Sequence, residues 1–179
     1  MNLEVLIRRE WIDIKVKGIA AKINEEFKNK DLIIICVLKG SFLFVSDLIR
    51  NIKNINCYID FIQISSYGSN TESSGIIKLE KDIGIDIKNQ NVLIIDDILD
   101  TGSSLSFLVD LFGNRDPKTL KTCVLLDKPE RRKFNIKADY VGFEIENKFV
   151  VGYGLDYNEK LRELPDIWAV KENIWKRME

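Results

Sequence analysis

The chain has 179 residues, of which 45% are hydrophobic and 31% are charged, a composition typical of a soluble globular protein. Lysine and arginine (27) nearly balance aspartate and glutamate (28), and the net charge of -1 argues against a binder of duplex nucleic acid, which is usually strongly basic. No histidine is present, so histidine-based catalytic triads and histidine metal sites are excluded. Acid–base chemistry therefore falls to carboxylate, lysine, tyrosine or cysteine, and a required metal would be a hard cation bound by oxygens.

The cysteine pattern and the apolar runs indicate a cytoplasmic protein. Cys36, Cys57 and Cys123 lie in apolar stretches, and their spacing matches no zinc site, so we expect buried, reduced thiols. The first ten residues contain no apolar signal core, and the longest apolar run, residues 32–38, is far shorter than the ~20 residues of a membrane span. At this length we expect one domain, residues 1–179.

In chain order, the apolar spacing predicts alternating helices and strands. Apolar residues recur at helical spacing from Ile12 to Phe27 and predict a helix at about residues 10–28. Ser41 is a candidate cap for a second helix, whose inner face would carry Phe42, Val45, Leu48 and Ile49. The other runs predict strands at 31–38, 57–65, 92–95 and 120–126, and a helix at 102–112.

This alternation predicts a mostly parallel sheet with helices on both faces. Ligands of such sheets bind beyond the carboxyl ends of the strands, so the informative turns follow Leu38, Ile95 and Leu126. From Tyr140 onward, short strands separated by glycines predict a small accessory β-rich region packed over the strand ends.

The turn after the strand at 92–95 has the character of a phosphate and ribose site. Asp96 and Asp97 follow the strand, and a helix begins after Asp100, with the residues Thr101, Gly102, Ser103 and Ser104 at its start. A helix N-terminus offers free backbone N–H groups and partial positive charge to a phosphate, and glycine allows close approach. Adjacent carboxylates suit ribose hydroxyls or a magnesium ion. Each residue alone would more often cap a helix or lie at a solvated strand end.

Taken whole, residues 92–105 closely resemble the diphosphate-ribose binding signature of the type I phosphoribosyltransferases. The resemblance implies an α/β fold: a mostly parallel central sheet flanked by helices, with a small β-rich hood formed by about residues 1–10 and 127–179. It assigns the segment from Asp96 to Ser104 to the phosphoribosyl group, with Mg²⁺ as cofactor. Many relatives carry glutamate at the position of Asp96, so the contact with the ribose could differ here.

Two further segments resemble the parts of this family that bind pyrophosphate. Lys39 and Gly40, in the motif LKGS, follow a buried strand, where a lysine and exposed amides form a plausible anion site. Family members hold the peptide bond before this lysine in cis. Residues 65–75 are polar and would equally suit a surface loop. The resemblance implies a lid in which Ser66 and Tyr67 close over the diphosphate.

The purine would be bound by the segments after residue 125. Lys128 lies just past a strand end, whereas Arg131, Arg132 and Lys133 are interpreted as a solvated basic loop. The resemblance implies that Lys128 donates to the 6-oxo group of the purine, which disfavours adenine.

The last block of the chain that resembles the family is residues 148–159. Phe149 by itself would more often be a core residue. In the hypoxanthine-guanine branch of the family, the matching aromatic stacks on the purine opposite the residue matching Ile98. Backbone groups near Val150 and Asp156 would contact the base. Asp156 would also bind a second magnesium ion, and Arg162 would contact pyrophosphate.

Together these features predict a purine salvage enzyme that transfers the phosphoribosyl group to hypoxanthine, and also guanine, with Asp100 as the base that takes the purine proton. The alternatives are a xanthine-preferring or broad 6-oxopurine transferase and, from another class, a nucleic-acid-binding regulator of the same fold. We expect small-molecule substrates, no nucleic acid or membrane partner and, because relatives are commonly oligomers, a homodimer or homotetramer.

Overall fold

The computed structural model describes residues 2–66 and 77–171. Its helices and strands follow one another as β1 Leu3–Ile7, α1 Arg9–Glu26, β2 Asp31–Leu38, α2 Phe42–Ile49, β3 Asn56–Ser66, β4 Ile77–Lys81, β5 Asn91–Leu99, α3 Ser103–Gly113, β6 Thr119–Asp127, a 3₁₀ turn at Pro129–Arg131, β7 Tyr140–Glu144, β8 Val150–Val151 and β9 Ile167–Val170. Within this described part, no helix is both long and apolar enough to cross a membrane.

Within residues 2–66 and 77–171, six strands form one sheet in the order β4-β3-β2-β5-β6-β7, in which only β4 runs antiparallel to its neighbour. β2 and β5 lie in the middle and are apolar on both faces, as expected when helices cover both sides. Helices α1 and α2 pack with Ile34 and Leu93 on one face, and α3 packs with Ile33 and Val92 on the other. The predicted α/β architecture is confirmed.

A second, smaller sheet is antiparallel, with the order β1-β9-β8. Leu3 pairs with Val170, and Val150 pairs with Ala169, so the first and last described strands lie side by side. The segment Tyr140–Glu144 is not part of this hood, contrary to the expectation that the accessory region begins at Tyr140. It is β7 of the large sheet, because it pairs in parallel with β6, for example through Leu126 and Phe143.

Two local predictions are wrong for identifiable reasons. β5 does not end at Ile95 but runs to Leu99, because β6 continues beside it and pairs Leu99 with Asp127. In α2 the predicted inner-face residues Val45 and Leu48 are buried and Ile49 is partly buried, but Phe44 takes the buried place expected for Phe42, which is exposed beside the hood.

Two polar details also differ from expectation. Ser41 precedes α2, but its hydroxyl donates to the carbonyl oxygen of Val37 (2.7 Å) instead of capping the helix. All three cysteines are free; Cys36 and Cys123 are buried as expected, and Cys57 is half-buried. Burial is the main cause that raises the pKa of Cys36 to about 11, so this thiol stays protonated at neutral pH.

Candidate active site

A cavity of about 680 Å³ opens at the carboxyl ends of β2 and β5. Of the residues that the sequence assigned to a site, it is lined by Lys39, Gly40, Asp96, Asp97, Ile98, Asp100, Thr101, Gly102, Ser104, Asp156 and Arg162. Ser103, Lys128, Phe149 and Val150 do not line it. Tyr67 lies outside the described residues, and Ser66 is described only as the last residue of β3.

The turn from Asp100 to Ser104, which we call the phosphate loop, joins β5 to α3. Gly102 has a φ of 90°, a left-handed conformation that favours glycine, and α3 begins at the next residue. The hydroxyls of Thr101 and Ser103 lie 3.0 Å apart. The first helical hydrogen bond runs from the Ser106 amide to the Gly102 carbonyl oxygen, so the amides of Ser104 and Leu105 are available to an anion at the helix N-terminus, whereas that of Ser103 makes a long contact with the Thr101 hydroxyl (3.4 Å).

Residues 131–136 contact the phosphate loop and do not line the cavity. The Arg132 side chain donates to the carbonyl oxygen of Asp100 (2.7 Å), and the Lys133 amide donates to the carbonyl oxygen of Thr101 (2.9 Å). Arg132 is also ion-paired with Asp127 at the end of β6. The interpretation of this segment as a solvated loop is therefore wrong for Arg132, although the Lys133 side chain is exposed. The role of Arg132 was missed because it depends on contacts with Asp100 and Asp127, and the sequence does not distinguish Arg132 from its basic neighbours.

Asp96 and Asp97 form an acidic pair at the floor of the cavity. Asp96 is buried, and its carboxylate accepts a hydrogen bond from the Asp97 amide (2.9 Å). Burial, and then the negative charge of Asp97, raise the pKa of Asp96 well above its ordinary value, and burial also raises the pKa of Asp97. A cation between these carboxylates would relieve their repulsion, and an all-oxygen pair suits magnesium.

Gly40 and Gly154 allow three segments to meet beside this pair. A Cβ atom on Gly40 would overlap the Asp97 carboxylate, and one on Gly154 would overlap the carbonyl oxygen of Gly40. The hood loop is anchored there by a hydrogen bond from the Tyr153 hydroxyl to Asp47 of α2 (2.6 Å). The Leu38–Lys39 peptide bond is cis, which the sequence alone did not reveal.

The same cavity is also lined by a group of four charged residues, Lys39, Asp156, Glu159 and Arg162, which we call the anion cluster. Arg162 is ion-paired with Asp156 (3.0 Å) and Glu159 (3.2 Å), and it donates to the carbonyl oxygen of Gly154 (2.8 Å). Lys39 is ion-paired with Glu159 (3.1 Å). Glu159 was not among the predicted site residues, since one exposed glutamate in a polar stretch carries no sequence signal of its own.

Three of the residues expected at the purine end, Lys128, Phe149 and Val150, do not line the cavity. Lys128 is 6% exposed, and burial lowers the pKa of its ammonium group while the negative charge of Asp100 opposes that shift. Asp100 is also ion-paired with Arg131, whose Nε lies 2.8 Å from Oδ1. Phe149 is exposed and meets Tyr157 edge to face, with ring centroids 5.9 Å apart.

Two further purine-end residues lie in different settings. Ile98 is in β5, and Val150 is buried in the hood sheet, where it pairs with Ala169.

Among the described residues, no three histidine, cysteine, aspartate or glutamate side chains converge on a point that could hold a metal. Asp96, Asp97 and Asp156 therefore do not form a three-carboxylate metal site by themselves, and a magnesium ion at either position would need oxygens from a substrate to complete its coordination.

The family can be read from comparisons with known proteins. The family model described as a phosphoribosyl transferase domain matches residues 8–158. The chain belongs to the phosphoribosyltransferase family. The hypoxanthine-guanine phosphoribosyltransferase of Bacillus subtilis (strain 168) is 46% identical over 175 residues, which cover 97% of this chain and 96% of that protein.

Solved structures of phosphoribosyltransferases agree with the fold described above. A hypoxanthine-guanine phosphoribosyltransferase from Bacillus anthracis, with a HEPES molecule in its active site, is 50% identical and superimposes with a TM-score of 0.89, covering 94% of this chain and 98% of that one. A hypoxanthine phosphoribosyltransferase from Staphylococcus aureus is 44% identical with a TM-score of 0.91, covering 96% and 93%. The fold class and the family resemblance predicted from the sequence are confirmed.

Proposed function

We propose that this phosphoribosyltransferase transfers the 5-phosphoribosyl group from 5-phosphoribosyl 1-diphosphate to hypoxanthine and guanine, giving IMP or GMP and pyrophosphate. The observation that carries the proposal is that the phosphate loop lines the same cavity as the cationic side chains of Lys39 and Arg162. The two ends of a phosphoribosyl diphosphate carry negative charge, and the cavity offers anion-binding groups at both ends. The names of the relatives above support the choice of purine.

The donor would lie with its 5-phosphate at the N-terminus of α3 and its ribose over the acidic pair. The 5-phosphate contacts would come from the loop residues Asp100, Thr101, Gly102, Ser103 and Ser104. Asp96 and Asp97 would accept hydrogen bonds from the ribose hydroxyls. At the other end the pyrophosphate would be bound by Lys39, Gly40, Arg162 and the lid residues Ser66 and Tyr67.

Magnesium is part of the proposal, with Asp96 and Asp97 as protein ligands of one ion and Asp156 as a ligand of a second. When bound, these ions supply positive charge that balances the charge of the departing pyrophosphate. The environment of Asp96 supports this assignment: burial, and then the negative charge of Asp97, raise the pKa of its carboxyl group, and a divalent cation would relieve the second of these.

The purine would be held between Ile98 and Phe149, with Lys128 donating to the 6-oxo group and with backbone groups near Val150 and Asp156 at its far edge. An ammonium group is a donor only, so it pairs with a 6-oxo group and not with the 6-amino group of adenine. The burial of Lys128 supports this role, because a buried cation gains from a partner that accepts its hydrogen bonds.

Asp100 would act as the general base. As the bond from C1′ to the purine nitrogen forms and the bond from C1′ to the pyrophosphate oxygen breaks, the purine loses a proton to this carboxylate. Asp100 is the first residue of the phosphate loop, its negative charge acts on Lys128, and its Oδ1 lies 2.8 Å from the Nε of Arg131.

A spectrophotometric assay with hypoxanthine, guanine, xanthine and adenine, each with the donor and Mg²⁺, tests the function. We expect turnover with hypoxanthine and guanine and none with adenine. Dominant turnover of xanthine would support the alternative, in which the shorter side chain of Asp96 alters the site. An enzyme inactive on every 6-oxopurine would overturn the proposal, and filter binding to nucleic acid would then test the regulator.

We further propose that residues 1–179 act as one phosphoribosyltransferase domain, in the cytoplasm, as a homodimer or homotetramer. Three free cysteines support a reducing compartment. Analytical ultracentrifugation of the full chain would measure the oligomeric state.

A further inference from the structure

The carboxylate of Glu159 lies at the point where the two cations of the anion cluster converge. Its Oε2 atom is 3.1 Å from the Nζ of Lys39 and 3.2 Å from a terminal nitrogen of Arg162. One oxygen therefore accepts from both side chains that we assign to pyrophosphate. The cavity that contains the phosphate loop also contacts Glu159.

The Glu159 side chain is held by these cations and not by packing. Its side chain is 65% exposed, whereas its backbone amide is anchored by a hydrogen bond to Asp156 Oδ2 (2.8 Å). A tight turn that pairs Tyr157 with Lys160 fixes the chain on either side. Because the backbone is fixed and the carboxylate is not, the side chain can leave the cations without any change in the fold.

We propose that Glu159 is a positioning residue that takes the place of the diphosphate in the free enzyme and is displaced when the donor binds. The inference rests on the proposed function, since it requires Lys39 and Arg162 to bind the diphosphate. In the free state Glu159 holds both cations at one point. In the bound state the diphosphate oxygens take over its two contacts.

The physical reason for this exchange is the difference in charge and in number of oxygens. A carboxylate carries one charge, and exposed ion pairs of this kind are weak and screened by salt. A diphosphate carries more charge and presents several oxygens, and it can therefore satisfy lysine and arginine with separate charge-assisted hydrogen bonds. The same competition would help pyrophosphate to leave after the reaction, because Glu159 returns to the cations.

The variant Glu159→Gln tests the inference, with Glu163→Gln as the matched control. Glu163 is an exposed residue four positions away with no ion pair in the described part of the chain, so its variant has the same change of net charge. We expect Glu159→Gln to lower the Kd of inorganic pyrophosphate with Mg²⁺, and the KM of the donor, by about three- to tenfold at low ionic strength. The KM of hypoxanthine should not change, and Glu163→Gln should change none of these quantities.

Isothermal titration calorimetry on the intact protein measures the Kd of pyrophosphate without turnover. An unchanged or higher Kd in Glu159→Gln would overturn the inference, as would an equal decrease in Glu163→Gln. The effect should also shrink in a Lys39→Met background, because one of the two competing contacts is then absent. If the enzyme turned over no 6-oxopurine but these binding results held, the proposed function would fail and the exchange would stand.

Discussion

The phosphate loop and the anion cluster line one cavity, and they are built in different ways. The phosphate loop is a continuous run of five residues whose anion-binding groups are mainly backbone amides at the start of α3. The anion cluster combines Lys39, after β2, with residues from 156 to 162, and it consists of ion-paired side chains of which two are more than half exposed.

The two regions also differ in how firmly they are held. The loop is braced by backbone and Arg132 hydrogen bonds, and the Gly102 conformation fits closely against Ile136, so its geometry is present before a ligand arrives. The cluster is held by contacts that another anion can replace. We infer that the 5-phosphate end supplies a fixed point, whereas the pyrophosphate end is exchangeable, as suits a group that must leave.

Replacement of Asp100, at the start of the fixed region, should have the largest effect. We expect Asp100→Asn to lower kcat by roughly 10²–10⁴ because the purine proton loses its acceptor. Binding of the donor should change little, since the backbone of the loop is unaltered. Steady-state kinetics and donor titration measure both, with Asp110→Asn, an exposed change in α3, as the control. Turnover close to that of the wild type would remove Asp100 from the mechanism.

The variant Lys128→Ala distinguishes binding of the purine from binding of the donor by the two phosphate-binding regions. We expect the KM of hypoxanthine and guanine to rise by about 10–100-fold through loss of a charged hydrogen bond, with a much smaller change in the KM of the donor. Lys128→Met keeps most of the side-chain volume and should change the KM values in the same way as Lys128→Ala. Lys133→Ala, which alters an exposed side chain, should keep the KM values of the wild type. Equal increases in the KM of the purine and in the KM of the donor would mean that Lys128 does not act on the purine.

The rigidity of the phosphate loop is tested by Gly102→Ala. Because φ is 90° and the new Cβ would lie 2.8 Å from Ile136, we expect the free energy of unfolding to fall by about 1–3 kcal/mol and the KM of the donor to rise. Gly18→Ala is the control: no atom lies within 4 Å of its Cβ position in α1, and it should stabilise the helix by about 0.5–1 kcal/mol. Denaturant unfolding measures both. A neutral result at Gly102 would contradict a fixed loop.

The smallest effect is expected at the ion pair between Asp82 and Arg115, neither of which lines the cavity. A hydrogen bond from Arg115, the largest contribution, lowers the pKa of Asp82. A lowered pKa stabilises the folded state above the unfolded pKa of about 3.9, and this stabilisation is lost as the pH falls through the folded pKa. Since both side chains are partly exposed, we expect Asp82→Asn to cost less than about 1 kcal/mol at pH 7.

Urea unfolding from pH 7 down to pH 3 checks this prediction. The difference in the free energy of unfolding between Asp82→Asn and the wild type should shrink as the pH falls below about 4. A difference that stays constant over the whole range would mean that the Asp82 charge is not its cause.

Much of the molecule was predictable because its signals are local. The strand at residues 31–38 has the observed bounds of β2, and the helix predicted at 10–28 is α1 with its ends shifted by one and two residues. The phosphate loop was predictable for the same reason, since its residues are adjacent in the chain. The position of β7 was not, because a short strand after a long connection can join either sheet and only pairing with β6 decides between them.

The sequence by itself determined the family, the alternation of strands and helices, and the residues of the phosphate loop, because each depends on neighbours within about a dozen positions. Only the tertiary structure decided that Arg132 braces this loop, that Lys128 is buried beside Asp100, and that Glu159 lies between Lys39 and Arg162. Those contacts join segments up to 120 residues apart, and their chemistry depends on burial and distance, which arise only when the strands are assembled.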